Sequence, residues 1–493
     1  ADLVKQIREK RSQDAVRALG LLPLAKGSAG EKDLFDRYRI LQEFLRTSRQ
    51  FGAQKRESER RAATIGQENL ARTAGYRDPI RLQWAMEARA AADVADGGLA
   101  ASAGGVCVRL AITPAADIEL AVEKNGKPLK AIPPAVKKNP KVAELLERRT
   151  ELKRQVSRVR PALEQMMCRG TTFTGAELRE MMSHPLVGPM LGKLVLLGEG
   201  IAGYPIHAGK ALQDFAGRAE PVKQGEELRL AHGLDLLAGG QWPEWQRDCF
   251  ARELVQPFKQ VFREVYPLTE AEKQERTISR RYAGHQIQPR QALALLGSRG
   301  WVSAPDEGVR KTFHEEDLCA WLEFQETYYT PAEVEGLTIE GVRFTRRGQW
   351  KPLDLAQIPP RLFSEIMRDV DLVVSVAHRG GVDPEASAST IEMRSALLRE
   401  TLQVLGVDNV RIQGNRALID GRLGNYSVHL GSAVAHRMPG GALVLVPVHA
   451  QHRGRLFLPF ADDDPKTAEV LSKVLLLARD EEIRDPSILD QLR

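Results

Sequence analysis

The residues best suited to chemistry gather near the C-terminal end: His436, Arg437, His449, His452, Arg453 and Arg455. Imidazoles three positions apart on a helical turn can share a metal ion. His449 and His452 instead follow a strand-like run, where that spacing turns them to opposite faces. Metal binding there requires a turn at Ala450-Gln451. The alternative is an anion pocket built from His436, Arg437, His452, Arg453 and Arg455, because guanidinium forks match phosphate and carboxylate. The plainest reading is a set of polar residues on the wet face of a sheet. The strong catalytic and nucleotide motifs are missing: the sequence has no GxxxxGK[ST], HExxH or GxSxG, and no strand-GxGxxG-helix run. Catalytic residues, cofactors and metal ligands are therefore all expected to be none.

The elements that must position these residues are legible around them. Tyr426, Val428 and Leu430 alternate with Ser427 and His429, the period of a half-buried strand. Gly424-Asn425 and Pro439-Gly440-Gly441 supply turn residues ahead of successive apolar runs. The stretch 410–460 thus reads as an antiparallel meander of four to six strands. A helix follows from Asp464-Pro465, with Val470, Leu471, Val474, Leu475 and Ala478 on one face. Asp462-Asp463-Asp464 offers oxygen ligands for a divalent cation. The simpler role is a cap, since Asp464 precedes a proline at the first helical position.

A second candidate surface lies upstream. Val142, Leu145, Leu152, Val156, Val159, Leu163 and Met166 recur at three and four, which predicts a long helix packed on a partner helix and kinked at Pro161. Arg149, Lys153, Arg154 and Arg158 make it the most basic helix of the chain and the first place to seek nucleic-acid contact. A solvated flank explains the same charges. The cluster Arg56, Arg60 and Arg61 reads the same way, as a helix face with pairs such as Glu57-Arg61. The loop Gly380-Gly381-Val382-Asp383-Pro384 stands between an expected strand, Leu372 to Val376, and a helix from Ser389 or Thr390. Its backbone could face an anion, but it lacks a lysine and reads as a connection.

With 493 residues the chain has room for two to four domains. The fold class expected is multidomain α+β. Residues 1–96 form a helical region, 106–168 a small β unit plus the long basic helix, 169–360 a mixed central domain, and 361–493 an antiparallel sheet packed by helices. Gly97 to Gly105 reads as a linker. Asn125-Gly126 marks a hairpin turn. Thr174 and Glu177 form a capping box. His314-Glu315-Glu316 reads as a helix start, and Pro257, Phe258, Phe262 and Tyr266 as core packing. The net charge of +6 permits nucleic-acid contact without demanding it. Four scattered cysteines exclude a zinc ribbon or a disulfide framework and fit a reducing cytoplasm. Apolar runs are too short to span a bilayer, so no membrane association is expected. The chain opens at Ala1 inside a helical pattern, and a longer polypeptide upstream is expected.

Several stretches carry a family resemblance. Gln256-Pro257-Phe258-Lys259-Gln260, Arg263-Glu264-Val265-Tyr266 and the segment closing at Gly300-Trp301 resemble large bacterial proteins of the molybdate-metabolism-regulator-like (MolR-like) family, of unknown function. NGKPLKAIP, HPLVGPM and FSEIMRDVDLVVSVAH are similar to the same family, so the resemblance runs roughly from Phe35 to the end. It implies a helical N-terminal part, a mixed centre and a C-terminal α+β domain. Relatives are often encoded beside MoxR-type AAA+ ATPases and von Willebrand A proteins. That neighbourhood implies a non-enzymatic scaffold or adaptor with those two partners. The alternative is an enzyme or sensor acting on nucleic acid or a phosphorylated ligand through the basic C-terminal pocket.

Overall fold

The computed structural model describes residues 2–492, except 96, 114–115, 305–307, 327–333, 379–386, 440, 446–456 and 463. It opens on the helices Asp2–Lys10, Gln13–Leu19, Ser28–Thr47, Ala53–Thr73 and Pro79–Ala95. Leu34, Tyr38, Leu41 and Phe44 form the buried stripe that their spacing predicts. Glycine inside Ala53–Thr73 costs about 1 kcal/mol relative to alanine. Gly66 is accounted for by close packing, because a Cβ there would stand 2.7 Å from the Val16 carbonyl oxygen. Arg60 pairs with Glu57, one turn away, rather than Glu57 with Arg61.

Gly97 to Gly105 is not a linker. Leu99–Ala103 is the edge strand of a four-stranded meander that continues through Val106–Ile112, Ile118–Lys124 and Lys127–Pro128. Small side chains hid its β character. Gly104 and Gly105, at φ of 56° and 75°, make the tight turn to the next strand, which side chains resist. Asn125-Gly126 turns the other hairpin as expected.

The helix Pro140–Arg169 starts at Asn139, whose side chain accepts from Lys141 N–H, and runs through Pro161 to a left-handed Gly170. Its apolar face meets the meander and a six-stranded sheet in one core, so its main partner is sheet rather than a second helix of a coiled coil. That sheet runs in the order Thr172–Thr174, Glu227–Leu230, Leu196–Leu197, Ala202–Ile206, Ala211–Gln213, Ala219–Pro221. The Thr174 capping box forms with both of its hydrogen bonds.

A second core spans Tyr266 to Ala377. Its sheet carries Val302–Ala304, Gly308–Phe313, Leu318–Phe324 and Leu337–Arg346 as successive antiparallel neighbours. His314-Glu315-Glu316 lies in the turn between two of these strands and starts no helix. The apolar run after it, burying both faces of a central strand, mimics a helix onset. Pro360–Ala377 closes this core, so Leu372 to Val376 is the end of a helix rather than a strand. Ile366, Met367, Val370, Val373, Val374 and Ala377 keep helical spacing and are all buried. A short β-branched run inside a buried helix cannot be told from a strand by composition.

The C-terminal sheet is the expected meander, five strands in sequence order: Val410–Gln413, Arg416–Asp420, Asn425–His429, Ala435–Met438 and Ala442–Leu443. The helix Pro465–Ala478 covers it, with Val470, Leu471, Val474 and Leu477 buried. Asp464 caps that helix by accepting from Thr467 N–H at 2.9 Å. Among the described residues, no helix is long and apolar enough to cross a membrane.

Candidate functional site

Every residue from Gln256 to Tyr266 is buried, and the segment has no regular secondary structure. A buried irregular backbone must still pair its polar groups. Two glutamines do much of this. Gln260 accepts from Val195 N–H (2.8 Å) and donates to the carbonyls of Val195 (2.8 Å) and Ala231 (2.9 Å). Gln256 donates to Lys193 O and Gln260 Oε1 and accepts from Val261 N–H, each at 3.0 Å. Phe258, Phe262 and Tyr266 fill the space around them, as their spacing implied.

The same segment delivers Arg263 into the interior. Its Nε and Nη2 donate to the two oxygens of Glu365 at 2.7 and 2.6 Å, and its Nη1 donates to Glu164 at 3.0 Å. Glu365 also meets His232 Nε2 at 2.8 Å and accepts from the Cys168 thiol at 3.2 Å. Cysteine, histidine and glutamate together have the composition of a nucleophilic triad. The order is wrong for one. The carboxylate lies between the thiol and the imidazole, so the only base on the sulfur among the described residues is a carboxylate held well below its usual range, too weak to take the thiol proton. His232 Nδ1 accepts from Leu234 N–H, which leaves the ring proton on Nε2, facing Glu365. Burial raises the Cys168 thiol far above its ordinary range and lowers His232. Burial alone would also raise Glu365, but Arg263 and His232 outweigh it and hold the carboxylate well below its usual range. These groups form a structural lock, not an activated nucleophile.

Along the central helix Pro360–Ala377 the lock continues. Lys259 Nζ joins Glu264 (2.6 Å) and Asp464 (2.7 Å), and Arg368 Nε donates to Glu264 at 2.9 Å. Asp369 accepts from Arg299 (3.0 Å), Trp301 Nε1 and Lys311 (both 2.9 Å). Asp371 differs, because among the described residues it accepts from hydroxyls alone: Tyr266 (2.8 Å), Tyr282 and Thr390 (both 3.1 Å) and Ser387 (3.2 Å). Burial raises its pKa above the ordinary aspartate value.

Beside this row opens a cleft of about 330 Å³. Glu164 and the 256–266 segment line it on one side, the central helix and the helix Ala388–Leu405 on another, and the start of Pro465–Ala478 on a third. Sequence reasoning missed this cleft. Its residues come from seven stretches separated by up to hundreds of positions, and none makes a local motif. The charged residues in FSEIMRDVD, on a helix otherwise apolar on nearly every face, were the available signal.

The residues singled out from the sequence lie elsewhere. His436 and Arg437 are neighbours on the strand Ala435–Met438 and so face opposite sides of the sheet. The Nδ1 of His436 is buried without a hydrogen-bond partner. His449, His452, Arg453, Arg455 and the loop 380–384 lie outside the described residues. On the long helix, Arg158 pairs with Glu87 (2.5 Å) and Arg154 with Glu151 (3.5 Å), while Arg149 is half-buried and Lys153 exposed. Asp462 is held by Arg160 and by Lys259 N–H, and Asp464 by Lys259, so both serve the lock. Among the described residues no group of acidic, histidine or cysteine side chains is arranged to hold a metal.

Three family matches divide the chain. Residues 1–86 match a family of unknown function (DUF5724), residues 126–301 a domain of unknown function (DUF4132), and residues 391–492 a further domain of unknown function (DUF7737). No curated protein and no solved structure matches. The cleft sits where the second and third matches meet. Glu164, Lys259, Glu264 and Arg299 come from one, Arg394, Asp464 and Lys466 from the other, and Arg368 and Asp371 from the helix between.

Proposed function

We propose that this chain is a bacterial, cytoplasmic scaffold or adaptor of the MolR-like group. It works with a MoxR-type AAA+ ATPase and a von Willebrand A partner. The observation that carries the reading is the lock around Arg263 and Glu365. The chain's most chemically suggestive residues are fixed there in ion pairs that tie separate stretches of the chain together. Such a frame suits a protein that presents surfaces to partners. Affinity capture from the native host at moderate salt, with mass spectrometry and an assay for co-purifying nucleic acid, tests it. Recovery of an AAA+ ATPase supports the adaptor. Nucleic acid or a phosphorylated ligand without any protein partner overturns it.

One observation favours a second reading, a sensor or enzyme using the basic C-terminal pocket. The unpartnered Nδ1 of His436 is the kind of buried polar atom that a ligand satisfies. Loss of nucleic-acid or phosphate binding in Arg453→Ala and Arg455→Ala variants, with a steep salt dependence, supports it.

A further inference from the structure

The cleft at the central helix has more acids and bases than any other described cavity, and its acids are all engaged. Glu264 is held by Lys259 and Arg368 Nε, Asp464 by Lys259, Glu164 by Arg263, Asp462 by Arg160, and Asp371 by four hydroxyls. Of its cations, Lys259, Arg299 and Lys466 are paired, with Glu264 and Asp464, with Asp369 and with Glu469, whereas Arg368 and Arg394 keep unspent capacity. Arg368 is 9% exposed, and its Nη1 is buried without a hydrogen-bond partner. Glu164 Oε1 stands 3.9 Å from that Nη1, beyond hydrogen-bond reach. Leaving a buried guanidinium N–H unpaired is costly, so an orphan of this kind in a lined cleft marks the place of an acceptor.

Two further features favour a negatively charged acceptor. Arg394 binds only the Thr467 hydroxyl and the Leu430 and Gly431 carbonyls, with no carboxylate among the described residues in ion-pair range. The first turns of Ala388–Leu405 and Pro465–Ala478 reach the cleft through Thr390 and Lys466, bringing the positive ends of two helix dipoles to it. The volume lies at the low end of small-molecule clefts and is far too small for a duplex. We propose that this cleft binds the oxyanion group of a small metabolite, a phosphate or a carboxylate, with Arg368 Nη1 as its principal donor and Arg394 and Lys466 beside it. The site is independent of the adaptor reading and of the basic meander.

The test is calorimetric titration of the whole chain with inorganic phosphate, pyrophosphate and succinate, repeated on two variants. Arg368→Lys keeps the charge but loses the fork. Ser375→Glu puts a negative charge on an exposed residue that lines the cleft but takes no part in the lock. The expected result is saturable binding of at least one probe, weakened about 10-fold to 100-fold by Arg368→Lys, the worth of one charge-assisted hydrogen bond, and weakened as well by Ser375→Glu. Which probe binds separates a phosphate from a carboxylate source. If Arg368→Lys does not fold, Ser375→Glu alone decides. No saturable binding of any probe, or binding that Ser375→Glu leaves unchanged, overturns the proposal.

Discussion

Arg263 grips Glu365 through two parallel hydrogen bonds of 2.7 and 2.6 Å, and both side chains are more than nine-tenths buried. The pair joins an irregular segment to the central helix, and through His232 and Cys168 it reaches two further stretches. Removing one partner of a buried pair leaves an uncompensated charge. Glu365→Gln is therefore expected to cost about 3–5 kcal/mol in urea unfolding. Cys168→Ser keeps the small donor and should cost far less. Equal losses in the two variants would contradict this ranking.

Gln260 gives a second stability prediction. Its amide satisfies the Val195 N–H and two buried carbonyls. Gln260→Leu fills the same space but leaves those groups unpaired, at about 1–3 kcal/mol for each lost partner. The expected outcome is a thermal midpoint well below that of the parent chain. Gln246→Leu, at a side chain whose only hydrogen bond among the described residues is at 3.5 Å, should change little.

Stability should fall with acid in two windows. Burial holds His184 down to about 4, below the ordinary histidine value. Its Nδ1 accepts from Leu186 N–H at 3.0 Å. A folded pKa below the unfolded one gives stability that is complete above about pH 6.5 and lost as pH falls toward 4, about 3 kcal/mol in all. Glu365, Glu264 and Asp464 are held low by Arg263, Lys259 and Arg368 against the effect of burial. Their contribution persists to lower pH and is lost only below the ordinary carboxylate range. Urea midpoints measured from pH 7 to pH 2 should show the first loss in full and the onset of the second, and His184→Asn should flatten only the first.

The basic helix yields a fourth outcome. Arg158 neutralises Glu87, whose side chain is only 3% exposed, so Arg158→Glu should destabilise the fold. Lys153→Glu, on an exposed residue, should be neutral for stability. If nucleic acid is retained by the parent chain and lost with Lys153→Glu, this helix is a contact surface after all.

Local signals carried through to the structure. The Thr174 capping box, the Asn125-Gly126 turn, the Asp464 cap and the burial of Tyr426, Val428 and Leu430 are each set by a few adjacent residues, although Ser427, expected on the wet face, is buried as well. Two segments failed for different reasons. Leu99–Ala103 has small side chains that carry no β signal until Val106–Ile112 pairs with it, and Leu372 to Val376 is helical because the central helix is buried on nearly every side by distant parts of the chain. The cleft was illegible for the second reason. Arg368, Arg394 and Lys466 belong to three helices, and only the packed chain brings them together.

Sedimentation of purified components tests whether this chain serves as a frame for partners. The chain is mixed with a MoxR-type ATPase and a von Willebrand A protein from the native host, the partners proposed above, at moderate salt and with nucleotide present. One faster-sedimenting complex containing this chain is the expected result. Separate boundaries for every component, across nucleotide states, would contradict it.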